Sequence, residues 1–407
     1  MALWLVLAYQ ALLVGIVGLV VGFTSANSFI RPLVLPMLAA LVSHALIFNK
    51  EAISHKGTWT LINMNTAGLF LQYLDVGLIS RWSYSAYGPT SPRGNQPNAN
   101  LGLTDRKKPQ QKASHLVSRL QWAFDVATSW RAPATPWEVK GTPQFAMVPS
   151  RGRFIVRKAI TLIWSLLILD AMSLMGGQPD PAVNATKFSW DKVLFLTRLG
   201  EVTRNEVILR TIVVYIRWVA IYYYVQAFYS SLAIVCVAAG VSPVQRWPPL
   251  FGSISEMYTI RNTWGPFVRK SAVPPIYTTY SLLGLKKGGI AGRYMFILLT
   301  FTVSGLFHLF GEEYPGGIRW DQSGTLRFYS IQALGFMIED AVQAIWSRGF
   351  KGQYSRWTTA VGYVWVLFWI FWTSPAYFYP LQLNVTEKKP VLPFSVVGPL
   401  LQSLKEG

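Results

Sequence analysis

Long, uninterrupted runs of apolar residues are the feature that most constrains this chain. The runs are about 15 to 25 residues long with few charges inside them, and a helix of that length crosses a bilayer core of about 30 Å. Charged residues make up only 14% of the 407 residues, while apolar residues reach 52%. A soluble globular enzyme, a disordered chain and a collagen-like fibre are therefore excluded, and the continuous runs argue against a β-barrel. We expect an all-α, polytopic bundle of membrane-spanning helices.

Eight spanning helices are predicted within one membrane-embedded domain, residues 1–407. Their approximate limits are 4–23, 31–49, 59–80, 155–175, 207–240, 293–311, 326–347 and 358–379. The first run lacks the basic start and the small-residue cleavage site of a signal peptide, so we interpret it as a retained helix. The run 207–240 is long enough for one tilted helix or for one and a half passes, and the sequence leaves both open.

The net charge of +19 is concentrated in the loops that follow odd-numbered spans. Residues 81–158 carry +10, 241–293 carry +6 and 348–357 carry +3, whereas the loops on the other side are nearly neutral. The positive-inside rule therefore predicts a polar cytosolic loop at 81–151 and a cytosolic segment with an amphipathic helix at 241–292. Membrane lipid is an expected partner, while nucleic acid is not, because the basic residues form no compact platform interleaved with aromatic side chains.

Two Asn-x-Thr sequons, at Asn184 and Asn384, both fall on the side opposite the basic loops. We therefore expect a multi-pass integral membrane protein of the endoplasmic reticulum, glycosylated at these sites if they are used. The single cysteine, Cys236, lies in an apolar run and excludes both a disulfide and a cysteine-based metal site. No partner protein or oligomeric state follows from the sequence.

An amphipathic helix is predicted from Ile254 to Lys270, after a turn that contains two prolines. Ser253 and Glu256 have the spacing of a capping box, and apolar residues then recur on roughly one face. The periodicity alone also fits a helix that only inserts its apolar face into the cytosolic leaflet.

The most unusual polar residue is His308, near the end of the sixth predicted span. An ionisable side chain inside a span faces the bundle interior or a wet cavity, and a histidine there can act as a general base. A neutral histidine that only hydrogen-bonds between helices is an equal alternative, and it is the preferred interpretation of His44. Glu312 and Glu313 follow closely but also fit a membrane exit. No serine-histidine-acid order, phosphate-binding loop or metal-ligand spacing is present.

Other acidic residues also lie in apolar surroundings, namely Asp75, Asp170, Glu339 and Asp340. We interpret them as residues that hydrogen-bond between helices or line a cavity. A direct chemical role is a further hypothesis for the neighbouring pair Glu339 and Asp340.

Four stretches, in this order, resemble the wax synthase-like branch of the membrane-bound O-acyltransferase superfamily, especially fungal enzymes that acetylate terpenoid and meroterpenoid alcohols. The stretches are 119–125, 135–140, 249–253 with 259–265, and 304–308. The resemblance covers about residues 115 to 310 and implies acetyl-CoA as the acyl donor, no metal, and a lipophilic terpenoid-like acceptor from secondary metabolism.

The resemblance also implies roles for individual residues. His308 matches the family's proposed catalytic histidine after Ser-Gly. Arg269 stands where the family has His or Asn, and Val268 stands where it has Trp, so this position offers a permanent hydrogen-bond donor and not a base. Further residues are implied in binding the substrate or cofactor: Asn262, Trp264, Arg261, Lys270 and Glu312.

The leading hypothesis is therefore an O-acyltransferase, with His308 as general base and Arg269 stabilising the oxyanion or holding CoA. Because Arg269 departs from the family pattern, a membrane-embedded isoprenoid cyclase that uses acidic residues for protonation is the alternative. A non-catalytic lipid-binding or transport protein is disfavoured by the absence of internal repeats.

Overall fold

A computed structural model gives the architecture for most of the chain. The residues described below are 2–91, 115–175, 178–268, 273–349, 356–385, 387, 389, 395–399 and 403. Almost all regular structure in this part is helical, apart from one two-stranded antiparallel ladder, β1 (Trp82–Ser83) with β2 (Gly88–Pro89).

The helices fall into long ones that build the bundle and short ones that connect it. The long helices are α1 (Ala2–Phe23), α2 (Ile30–Ala52), α3 (Lys56–Tyr73), α5 (Arg151–Ser173), α7 (Arg204–Ala238), α10 (Ile290–His308), α12 (Thr325–Gly349) and α13 (Arg356–Thr373). The short helices are α4 (His115–Thr128), α6 (Pro181–Lys187), α8 (Ile260–Val268), α9 (Val273–Tyr277), α11 (Tyr314–Gly316) and α14 (Pro375–Leu383). Turns of π-helix extend α3 over Leu74–Ile79, α9 over Thr278–Leu282 and α10 over Leu309–Glu313.

Each of the eight predicted spans coincides with one of the long helices, so the all-α membrane bundle is confirmed. Five stretches of the described chain are long and apolar enough to cross a membrane, and they contain α1, α2, α7, α10 and α13. The other three long helices, α3, α5 and α12, are less apolar, and their passage through the bilayer stays a prediction. The run 207–240 is one continuous helix, α7, which decides between the two interpretations of that run.

Helix ends that the charge pattern places on one side of the membrane do meet. Arg151, at the start of α5, donates a hydrogen bond to Ala238 O at the end of α7. Arg293, at the start of α10, is paired with Asp340 in the last part of α12. At the opposite face, Asn184 donates to Gln382 O, so both sequons lie at the same end of the bundle.

The second half of the loop 81–151, which we call the deep loop, packs against the helices of the bundle. Helix α4 packs against α1, where Gly18 and Gly22 let Ala123 approach the helix backbone. The indole of Trp130 lies directly on Gly68 of α3, where an added Cβ would be 1.6 Å from the ring. Gly68 is eleven residues before the end of the α3 extension, which corresponds to about 16 Å along the helix axis. These contacts join residues far apart in the sequence, so the sequence alone does not predict them, and the cytosolic position of the loop stays a prediction.

The helix predicted from Ile254 to Lys270 is shorter than expected. Only a single 3₁₀ turn forms at Ile254–Glu256, and Ser253 accepts a hydrogen bond from the amide of Ser255 without the reciprocal half of a capping box. Helix α8 starts at Ile260. Its first amides, those of Ile260 and Arg261, donate to the carboxylate of Glu339, so a residue of α12 supplies the negative charge that this helix start requires.

Candidate functional site

His308 ends α10 and is held by its own helix. Its Nδ1 lies 2.8 Å from Ser304 O, one turn earlier. A carbonyl oxygen can only accept, so Nδ1 carries the proton and Nε2 of the neutral ring keeps its lone pair. Gly305 follows Ser304 and is buried; an added Cβ would lie 2.9 Å from Leu326 and 3.3 Å from Tyr329. The Ser-Gly pair therefore orients the imidazole and lets α12 approach it.

Aromatic rings surround the imidazole on three sides. Tyr329 of α12 stacks on it with ring centroids 4.6 Å apart, Tyr377 of α14 meets it edge-on at 6.0 Å, and Phe307 meets it edge-on at 5.2 Å. We call these three rings the aromatic shell. The residue as a whole is half-buried in the bundle.

Charged side chains adjoin the aromatic shell. The carboxylate of Glu312, in the π-turn after His308, accepts a hydrogen bond from the hydroxyl of Tyr377. It also interacts electrostatically with Arg217 of α7 and Lys56 of α3. Cations and anions placed together inside a bundle compensate each other's desolvation, and π-turns are frequent at functional sites. The site thus combines one oriented imidazole with a hydrogen-bonded carboxylate.

Trp130 of the deep loop reaches the aromatic shell through Phe307. Trp130 approaches Phe307 edge-on, with ring centroids 6.1 Å apart, and Phe307 in turn contacts His308. Because Gly68 leaves room for the indole on α3, Trp130 forms a wall between α3 and α10. Trp130 belongs to the loop that the charge pattern assigns to the cytosol.

Helix α8 holds three of the predicted binding residues but brings only one towards His308. Trp264 is buried, donates to Gln332 Oε1 and lies 6.0 Å from Tyr329 of the aromatic shell. Arg261 instead forms an ion pair with Asp340 at 2.8 Å, and the exposed Asn262 donates to the backbone of the preceding turn. The helix therefore runs from the basic face into the bundle. Predicted residues Arg269 and Lys270 lie outside the described part of the chain.

The acid pair on α12 is fully engaged and lies away from His308. Glu339 accepts from two amides of α8 and from Trp365 Nε1, while Asp340 binds both Arg261 and Arg293. Carboxylates with that many donors are poor proton donors to a substrate. These contacts do not favour the hypothesis of a direct chemical role for Glu339 and Asp340. Instead, the two carboxylates join α12 to α8 and α10.

Sequence reasoning missed Tyr329, Tyr377, Arg217 and Trp130. Tyr329 and Tyr377 are two of many aromatic residues in apolar runs, so composition could not distinguish them. Arg217 offered a signal, because a charge fourteen residues inside a long apolar helix requires a partner. Among the described residues, no three His, Cys, Asp or Glu side chains come together as metal ligands.

Comparison with known proteins agrees with this architecture. The model of the "Membrane bound O-acyl transferase family" matches residues 247–331, the part that contains α8, His308 and Tyr329. Over the full length, the chain is 64% identical to the acetyltransferase aurG of Calcarisporium arbuscula, with 99% of each chain covered. It therefore belongs to the membrane-bound O-acyltransferases, as the resemblance predicted, and it is an integral membrane O-acyltransferase.

More distant relatives have the same kind of name. The acetyltransferase fsoF of Humicola fuscoatra is 32% identical over 93% of this chain and 96% of its own, and the acetyltransferase atnC of an Arthrinium species is 30% identical over 72% and 70%. No solved structure matches the chain. Nothing in these comparisons supports the cyclase alternative.

Proposed function

We propose that this O-acyltransferase moves an acetyl group from acetyl-CoA to the hydroxyl of a lipophilic, terpenoid-like alcohol, with His308 as the general base. The observation that carries the proposal is the hydrogen bond from His308 Nδ1 to Ser304 O, which leaves Nε2 free to accept a proton. The relatives named acetyltransferases support acetyl as the transferred group.

In the proposed reaction, Nε2 of His308 takes the proton of the acceptor hydroxyl, and the oxygen of that hydroxyl attacks the thioester carbonyl. The new C–O bond forms, the C–S bond breaks, and the sulfur of CoA leaves and takes up a proton. The aromatic shell favours a bulky apolar alcohol beside the imidazole. Arg269 follows the inward-running helix α8 in the sequence, and we assign to it the developing oxyanion or a phosphate of the donor.

The two substrates are expected to arrive from different directions. The basic loops favour the approach of the anionic donor from the cytosol, past Trp130, while the acceptor enters from the bilayer. This arrangement suits a protein of the endoplasmic reticulum, and sequons at Asn184 and Asn384 would then face the lumen.

The test is transfer of labelled acetyl from acetyl-CoA to lipophilic alcohols by isolated membranes. Because a positioned general base contributes about 10²- to 10⁴-fold, His308→Ala should lose at least about a hundredfold in turnover. His44→Ala is the matched control, since His44 is also an intramembrane histidine but is bonded to Tyr9 in another part of the bundle. Equal activity of parent and His308→Ala would remove His308 from this role.

A further inference from the structure

A cavity of about 420 Å³ lies at the N-terminal end of α5, on the face that the charge pattern assigns to the cytosol. The segment 144–150 and Pro249 form its apolar wall, and Arg153 and Arg157 supply its cationic side. Helix α5 packs against α7, and none of the lining residues contacts the aromatic shell. The cavity is therefore separate from the His308 site.

The two arginines have no counter-charge in the part of the chain that the structure describes. Neither guanidinium forms an ion pair or a hydrogen bond there, and both side chains are exposed. Their neighbour Arg151 differs, since it donates to Ala238 O and joins α5 to α7. Arg153 and Arg157 are thus two adjacent positive charges that no described side chain neutralises, as in a site for an anion.

An apolar stripe continues from these arginines along the outside of α5. Arg153, Arg157, Ile160 and Trp164 have the i, i+4, i+7, i+11 spacing of one helix face. Ile160 is 52% exposed and Trp164 is 61% exposed, so this face points to the bilayer. The face is cationic for one turn at the membrane surface and apolar for the next two turns, which matches the order of headgroup and acyl chain in a phospholipid.

We infer that this face binds one anionic glycerophospholipid, with its phosphate at Arg153 and Arg157 and an acyl chain along Ile160 and Trp164. Charge complementarity and the exposed apolar stripe beside the arginines favour a lipid over the water-soluble donor, which would have no use for that stripe. The inference stands independently of the proposed reaction.

Native mass spectrometry of the purified, delipidated protein tests it, with phosphatidylinositol and phosphatidylcholine of equal chain length as probes. The parent should retain one phosphatidylinositol in preference to phosphatidylcholine. The double variant Arg153→Gln/Arg157→Gln should lose roughly tenfold or more of this retention, since each basic residue near the surface adds to the attraction. Each single variant should lose part of it, and melting temperatures confirm that all variants are folded.

The matched control is Lys187→Gln/Arg204→Gln, which removes the same charge from exposed residues at the opposite face. It should retain the lipid as the parent does. Equal losses in the two double variants, or equal retention of both lipids by the parent, would overturn the inference. Displacement of phosphatidylinositol by added coenzyme A would also overturn it and would assign the cavity to the acyl donor.

Discussion

The burial of the Asp125 carboxyl group makes the stability of the folded protein depend on pH. Burial raises the pKa of this side chain to about 6, although the Arg246 guanidinium 3.0 Å away opposes the rise. The folded protein therefore holds the proton more tightly than the unfolded chain, whose carboxyl titrates near pH 4. Above pH 6 the ionised pair fastens α4 to the turn at Val244–Arg246.

Because the folded state binds the extra proton, the free energy of unfolding should fall as pH rises from about 4 to about 6, and this contribution should be constant above pH 6. Asp125→Asn should abolish that part of the pH dependence. Melting temperatures in detergent across pH 4 to 7 measure it: the parent should lose stability relative to the variant as pH rises. Parallel curves for the two proteins would show that Asp125 is not the responsible group.

At the same scale, Trp130 is expected to limit the size of the acyl group. Replacing the indole by alanine opens the wall between Gly68 and Phe307. The preference for butyryl- or hexanoyl-CoA over acetyl-CoA should therefore be at least about tenfold higher in Trp130→Ala than in the parent. The ratio of kcat/KM values for the donors is the measurement.

Trp137 provides the control, because it lies in the same loop but packs against Trp82 and Gly88. Trp137→Ala should lower the melting temperature without changing donor preference. If both variants changed the preference alike, general loosening of the deep loop, and not the position of Trp130, would be the cause.

At the scale of elements, α8 depends on a carboxylate from another helix. The Glu339 side chain accepts from the first two amides of α8 and from Trp365, and it is only 6% exposed. Glu339→Gln keeps the volume but removes the charge and one acceptor, so it should cost about 1–3 kcal/mol of stability. The lower melting temperature should be accompanied by reduced transfer, because α8 carries Trp264 to the aromatic shell.

Asp321→Asn is the comparison, since the ion pair of Asp321 with Arg319 is exposed on both sides and such pairs contribute little. Its melting temperature should stay within about a degree of the parent's. A Glu339→Gln protein as stable as this control would show that α8 is held by its apolar face alone.

At the scale of the whole molecule, successive spanning helices are expected to run in opposite directions across the membrane. This alternation predicts which loops face the cytosol. Cys236 is the single cysteine, so a Cys236→Ser background allows one reporter cysteine at a time. In sealed microsomes, an impermeant maleimide should label Ser150→Cys, on the basic side, and should label Ala185→Cys only after detergent is added. Labelling of both before detergent would contradict the assigned orientation.

The sequence predicted the membrane bundle because apolar run length is a local property that each helix carries alone. It also singled out His308 as a candidate, since a histidine in such a run is rare and costly, and the catalytic role of His308 stays a prediction. It could not place Trp130 on Gly68 or Glu339 at the start of α8, because those contacts join segments separated by long stretches of chain. The amphipathic spacing after Ser253 predicted a helix too early, since the negative charge at the helix start comes from α12 instead of a local capping box.

The position of Trp130 also sets an order of events during synthesis. Its indole packs between Gly68, already made, and Phe307, which follows about 180 residues later; at roughly 5–20 residues per second, the ribosome needs about 10 to 35 s to supply it. Throughout that interval a tryptophan and its flanking segment have to remain outside the bilayer or against α3 alone. The deep loop can therefore settle only after α10 has been inserted, so a segment that is made early is among the last to dock beside Phe307 and His308.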